Sequence, residues 1–401
     1  MAINGHSLLI LLSLGTAPIM ATEVAAQKHI APGVTDTEVK VGQTMPYSGP
    51  ASAWGAVGRA ELAYLKMIND RGGLRGRKIA LISLDDGFSP PKAVEQTRRL
   101  VESDGVAFIF NTLGPGNESI RGYLNEHRVP QLFIQAPFER FNDPQHYPWT
   151  VGLLPTFYRE GYIHARYILA HKPDAKIAIL HANDDSRETV IGLRDGLGDK
   201  ADRLIVKELS YEHSDPTINS QVATLKASGA DTFYNVTTPK FAAQAIRKAS
   251  EIGWKPLHFL SYGALSISAV LVPAGLENSI GIISAQFWKD PTDPQWANDA
   301  NTKEFLTWLE AYYPGGKPSE IFVYAGYAYA QILVYVLEQC GDDLSRENIL
   351  RQAESFHGVT FPWLLPGITL DTSPTDHQAI KKLRETRFNG KTWELLDDQS
   401  N

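Results

Sequence analysis

The sequence predicts an α/β protein of two similar, doubly wound lobes with a cleft between them. Three observations carry this. Short β-rich runs alternate with helical stretches from Val39 onward, and the same alternation restarts after "DPQHYPWTVGLLP". At 401 residues the chain is also long enough for two cores of ordinary size. Alternation of this kind implies parallel strands with right-handed crossovers. Neither lobe closes with contiguous sequence, so the chain is expected to cross between lobes more than once.

The elements follow in order. "VKVGQTMP" is a strand ending in a loop. "RAELAYLKMINDRGG" places Leu62, Leu65 and Ile68 on one helical face and stops at Gly72-Gly73. "RKIALISLDD" is a strand, and a helix follows with Ser89 as N-cap and Pro90 at its first position. "VAFIF" and "PQLFI" are apolar strands separated by a helix that begins near Asn117. In the second series "REGYIHARYILAHK", "ETVIGLRDGLGD", "NSQVATLKASGA" and "KFAAQAIRKASEIG" are helices. "AKIAILHA", "RLIVKELSY", "DTFYNV" and "HFLSY" are the strands among them. "SIGIISAQF" and "GITLD" return to strand, and "KKLRETRFNGKTWELL" reads as a hairpin. "IFVYAGYAYAQILVYVLEQC" approaches the length of a membrane span, but its tyrosines, Gln and Glu fit a buried helix better.

Composition narrows the class. Hydrophobic residues are 43% and charged residues 21%, as in a soluble globular protein. The net charge of −7 and the lack of a basic stripe argue against nucleic acid and anionic membranes as partners. Residues 1–26 read as a secretory signal peptide: a short apolar core, then small residues Val24-Ala25-Ala26 before Gln27, although residues 1–20 hold no Lys or Arg. The single cysteine, Cys340, allows neither an intrachain disulfide nor a lipid-anchored first residue. The expectation is a periplasmic protein without a lipid anchor.

The stretch "NTLGPGNES" is the one that invites chemistry. Gly114-Pro115-Gly116 with Ser119 approaches a dinucleotide fingerprint, but the turn follows the third strand and not the first. The next strand ends in Gln135-Ala136 without the acid that would hold a ribose. No G-x-S-x-G elbow occurs. The carboxylates at Asp85-Asp86 and Asn183-Asp184-Asp185 read as turns or helix caps. No catalytic residues, metal ligands or cofactor site are therefore expected, and no enzyme. What open α/β sheets offer instead is a ligand site beyond the carboxyl ends of the strands, against helix N-termini that suit a carboxylate.

With these residues in view, the chain resembles the leucine/isoleucine/valine-binding family of periplasmic substrate-binding proteins, which serve ABC importers. "VGQTMPYSGPASAWG", "INDRGGLRGRKIALISLDD", "SPPKAVEQTRRLVESDGV", "HANDDSRETVIGLRDGLGD" and "PAGLENSIGIISAQFWKDPTDPQW" carry the resemblance in order and spacing. It implies the type I periplasmic binding fold, with two lobes joined by three crossover strands and a cleft that closes by a hinge. The lobes would be residues 27–150 plus 266–360 and residues 151–265 plus 361–401, with hinges near Thr150, Leu265 and Thr360. It also implies a monomer whose partners are a small-molecule ligand and the permease and ATPase subunits of an importer. A ligand-sensing receptor component is a further alternative.

Carried over position by position, the resemblance assigns Trp54 as the aromatic after the first strand. Leu113, Gly114 and Pro115 fall in the donor turn after the third, and Ala136-Pro137-Phe138 in the stretch that holds the α-carboxylate. Thr238 takes the place of a cleft tyrosine, while Tyr158 and Tyr262 complete an aromatic-rich pocket. Arg159 or Arg187 would meet an anionic group. Glu139 stands where a hydroxyl is expected and would repel a carboxylate if it faced the cleft. The acid that pairs with an α-ammonium group is missing at Ser261-Tyr262-Gly263, and burying an ammonium without a partner is costly. The expected ligand is thus an apolar or aromatic carboxylate, with a branched-chain amino acid as its competitor.

Overall fold

The computed structural model describes residues 1–2, 31–49, 51–184 and 186–396. The expected signal peptide lies almost wholly outside these residues, as does Asp185. Two sheets organise the chain. The first contains β1 (Glu38–Met45), β2 (Lys78–Asp85), β3 (Phe108–Phe110), β4 (Gln131–Ile134) and β5 (Thr150–Gly152), all parallel, in the order β2-β1-β3-β4-β5. The second contains β6 (Ile177–Ala182), β7 (Ile205–Tyr211), β8 (Thr232–Val236), β9 (Leu257–Leu260), β10 (Ile283–Gln286), β11 (Arg384–Phe388) and β12 (Trp393–Leu395). Its order is β12-β11-β10-β9-β8-β6-β7, with β11 and β12 forming the antiparallel hairpin that the sequence predicts. Helices cover both faces, which is why Phe108, Ile109 and Phe110 are all fully buried and apolar.

In each sheet the strand order reverses once, between β1 and β3 in the first and between β6 and β8 in the second. Such switch points open a crevice beyond the carboxyl ends of the strands. The helices that start there are α1 (Gly55–Asp70), α2 (Pro90–Arg98), α3 (Gly116–Glu126), α4 (Phe157–His171), α5 (Arg187–Leu197), α6 (Asn219–Ala227) and α7 (Pro239–Glu251). Later in the chain come α8 (Ala300–Tyr312), α9 (Ile321–Cys340) and α10 (Arg346–Ala353). By length and composition α9 could cross a membrane, but it is a mostly buried helix that packs on α1.

Several sequence expectations are corrected. Leu62 is 38% exposed; the buried face of α1 instead runs through Val57, Gly58, Glu61 and Leu65, because buried Glu61 accepts a hydrogen bond from Gln43 and takes the inward position. Ser89 stands at the N-cap before Pro90 as expected, but its side chain makes no cap hydrogen bond, and Pro91 removes the amide at the second helical position. "GITLD" forms only isolated bridges from Leu370 to Val359 and Ile380. The sequence places residues 266–360 with the first lobe, yet β10 pairs with β9 and β11 in the second sheet. The second crossing therefore follows Gln286 and not Leu265. The third lies near residues 377–380 and not Thr360: there the Ala379 and Ile380 amides donate to the Gly152 and Leu153 carbonyls, beside the first crossing.

Candidate functional site

Loops from both switch points and from the crossings meet in one cavity of about 140 Å³. From the first lobe come Trp54 beyond β1, Phe88 beyond β2, Leu113, Gly114 and Pro115 beyond β3, and Gln135, Pro137 and Phe138 beyond β4. From the second come Asp184 and Ser186 beyond β6, Thr237 and Thr238 beyond β8, and Ser261, Tyr262 and Gly263 beyond β9. Phe157, Trp288, Phe322 and Tyr329 complete an apolar, strongly aromatic wall.

The "GPG" turn is built for close approach. Gly114 has φ +87°, a left-handed conformation that disfavours any side chain, and a Cβ there would land on the ring of Phe88. Buried Asn117 fastens the turn by donating to the Thr112 and Gly114 carbonyls and accepting from Thr112 and Gln131. Phe88 itself sits at φ +62°, a strained conformation for an aromatic residue. Its amide donates to Asp86, and Asp85 accepts from the Tyr47, Ser48 and Gly87 amides and from Lys92, so the two aspartates serve as loop anchors. Substituting Gly114 by Ala is expected to cost about 1–3 kcal/mol of stability. Ligand affinity should fall with it, as denaturant titration and calorimetry on one preparation would show.

The two lobes touch across the cavity. Trp54 Nε1 donates to the Gly263 carbonyl at 3.1 Å, and Phe88 meets the ring of His213 edge-on at 5.6 Å. Aromatic contacts continue from Phe138 to Phe157 and from Phe157 to Tyr262, each at 5.5 Å. Polar groups are few. α3, α5 and α7 all begin at the cavity without a side-chain cap, and their first-turn acids are directed elsewhere: Glu118 to Arg140, Glu188 to the Glu139 amide. Buried Trp288 has an indole N–H without a hydrogen-bond partner among the described residues, a donor that calls for an acceptor. Among the described residues no Lys, Arg or His lines the cavity.

Two carboxylates stand close. Asp184 lines the cavity but is engaged, its Oδ2 with His213 Nε2 at 2.8 Å and its Oδ1 with the Ser186 amide at 2.8 Å. Burial alone would raise its carboxyl, but these hydrogen bonds outweigh burial and hold it below its usual value. Glu160, one turn into α4, is fully buried behind Ser261 and Tyr262, accepting from Ser261 Oγ at 3.0 Å and from the Tyr262 amide at 2.6 Å. Burial pushes its carboxyl up to about 8 despite those two bonds. Among the described residues no group of three or more His, Cys, Asp or Glu side chains is placed to hold a metal ion.

Of the sequence-assigned residues, Trp54, Leu113, Gly114, Pro115, Pro137, Phe138, Thr238 and Tyr262 line this cavity, and Ala136 and Tyr158 do not. Ala136 packs with Ile134 and Phe141 on the other side of the chain, since extended residues alternate and Gln135 and Pro137 take the cavity side. Tyr158 follows Phe157 by about 100° around α4, so only Phe157 faces inward; the Tyr158 hydroxyl donates to Asp195 instead. Arg159 and Arg187 are exposed and outside the cavity. Glu139 also faces away, its carboxylate accepting from Thr156 Oγ1 at 2.5 Å, so the anticipated repulsion does not arise. Phe88 and Trp288 were legible as aromatics just beyond strand ends. Phe322 and Tyr329 sit on α9, which offers no signal except helical spacing.

Residues 38–392 match the sequence pattern of a family described as periplasmic binding proteins. The chain belongs to that family. Periplasmic binding proteins are extracytoplasmic proteins that bind substrates. A relative called Leu/Ile/Val-binding protein homolog 1, from Brucella abortus (strain 2308), is 26% identical over 321 residues, 77% of this chain and 81% of the relative. The fold is also that of a branched-chain amino acid ABC transporter protein from Thermus thermophilus with bound valine, at a TM-score of 0.80 and 14% identity over 90% of this chain and 96% of that one. A fatty acid ABC transporter substrate-binding protein from Thermomonospora curvata aligns at a TM-score of 0.77 and 20% identity, over 92% and 95%. At these identities the two structures establish the architecture: two α/β lobes of the type I periplasmic binding fold.

Proposed function

We propose that this periplasmic binding protein is the substrate-binding component of an ABC importer and that it captures a small apolar or aromatic carboxylate by closure of its lobes. The observation that carries the ligand class is the state of the nearby carboxylates. Glu160 lies behind Ser261 and Tyr262 with its proton held by burial, so the one carboxylate left at the cavity for an α-ammonium group is Asp184, already partly engaged by His213 and the Ser186 amide. The uncapped N-termini of α3 and α7 supply donors for an anionic head, and the aromatic wall takes the tail. The volume fits: apolar cavities of about 150 Å³ take up benzene. The closed form would then dock on a membrane permease driven by its ATPase subunits, with the binding protein acting as a monomer.

A thermal-shift panel tests the reading. Benzoate, cinnamate and short branched aliphatic acids are expected to raise the melting temperature by a few degrees at about 100 times Kd, and leucine, isoleucine and valine are not. Amino-acid binding is the second reading, favoured by the names of the relatives and by the position of Asp184 at the cavity. Stabilisation by leucine or valine alone would establish it in place of the first.

A further inference from the structure

A second concavity, of about 930 Å³, lies on the other side of the wall that bounds the cleft. The same two turns build both: Phe138 and Phe157 face the cleft, while Glu139, Tyr158 and Arg159 face this groove. Its far side is the segment from Pro366 to Ile368 and the stretch from Lys381 to Glu385 that leads into β11. Ile163, Ile368, Leu383 and Leu396 give it an apolar floor.

The charge around that floor is unbalanced. Lys381 is paired with Asp376 at 2.6 Å, and Glu139 is taken up by Thr156 and Glu385 by other contacts. Arg159, Lys382 and Arg384 have no carboxylate within ion-pair distance among the described residues; Arg159 reaches only the Lys381 carbonyl, at 3.4 Å. Arg384 is moreover half-buried, where a cation without a counter-charge is held at a cost. The lining sets four cations, Arg159, Lys381, Lys382 and Arg384, against two carboxylates, Glu139 and Glu385, a local excess of two positive charges in a chain of net charge −7. Beside them Tyr158 and Tyr162 stack at 6.4 Å, with Tyr162 43% exposed. The volume is within the range of about 300–1,000 Å³ usual for small-molecule sites.

We propose that this groove is a second binding site, for an anionic amphiphile: an apolar chain or ring carrying a carboxylate or phosphate. The anionic head meets Arg159, Lys382 and Arg384, and the apolar part lies on the floor between α4 and the Pro366–Ile368 segment. A free acid and a lipid headgroup share this chemistry.

The test uses two probes, sodium decanoate by calorimetry and cosedimentation with phosphatidylglycerol–phosphatidylcholine vesicles. Wild-type protein is expected to bind at least one, and decanol, which lacks the charge, more weakly. The Arg159→Ala/Lys382→Ala/Arg384→Ala variant should lose about tenfold or more in affinity, and Arg384→Glu alone should weaken binding in the same direction. Trp54→Ala, which damages the cleft only, should leave this binding in place. Decanoate binding would assign a soluble acid and vesicle binding a lipid surface. Binding to neither probe, binding that survives the triple substitution, or binding lost in Trp54→Ala would each overturn the proposal.

Discussion

Trp54→Ala is expected to weaken binding of whichever panel ligand stabilises the protein by about 100-fold, with a much smaller effect on folding. Trp54 is a half-buried ring that lines the cavity, packs on Phe88 at 5.4 Å and supplies a hydrogen bond between the lobes to Gly263. Aromatic anchors at the centre of a contact commonly carry about 2 kcal/mol or more, and a net hydrogen bond adds about 1. The bond to Gly263 joins the two lobes and the ring faces the cavity, so their loss falls on closure and thereby on affinity. Trp54→Phe keeps the ring and loses the N–H, and should cost less than about tenfold. Calorimetry on the three proteins measures this directly. Unchanged affinity in Trp54→Ala would place the ligand elsewhere.

Glu160→Gln is expected to stabilise the protein, increasingly so toward alkaline pH. In the unfolded chain this carboxyl ionises near 4.5; in the folded protein burial holds its proton up to about 8. Between those values the folded state binds the extra proton, so Glu160 costs stability as pH rises, by about 1.4 kcal/mol per unit. Glutamine matches the protonated acid: its carbonyl can accept from the Tyr262 amide while its amide donates to Ser261 Oγ. Burial also raises Glu61, Asp86 and Asp290, so the informative quantity is the difference between variant and wild type. Denaturation at several pH values should show that difference growing from about pH 4.5 to 8 and then levelling. A difference independent of pH would mean that Glu160 folds as a carboxylate.

Much of the site was legible because strand ends are where this architecture presents its loops. A glycine pair after an apolar strand, an aromatic after the first strand and a Thr-Thr-Pro after the third strand of the second series all mark such ends. The errors have local causes. Ala136 and Tyr158 each neighbour a residue that does face the cavity, and the backbone period of strand or helix sends the neighbour away. Glu160 was invisible because its function depends on packing behind Ser261 and Tyr262, a hundred residues distant in sequence. The position of β10 was misjudged because nothing in "SIGIISAQF" says which of the two sheets it joins; that is decided by long-range pairing with β9 and β11. The hinge positions moved for the same reason.

The central claim is the proposal that the cleft favours a free carboxylic acid over the matching α-amino acid. Matched pairs test it with a single chemical difference: 3-phenylpropanoate against phenylalanine, and 4-methylpentanoate against leucine, titrated calorimetrically at neutral pH. Each pair shares its skeleton and carboxylate and differs in the α-ammonium group alone. The geometry of Asp184 and Glu160 predicts that at least one acid binds and that its amino acid binds about 100-fold more weakly or not at all. Tighter binding of leucine or phenylalanine than of its matched acid would contradict it.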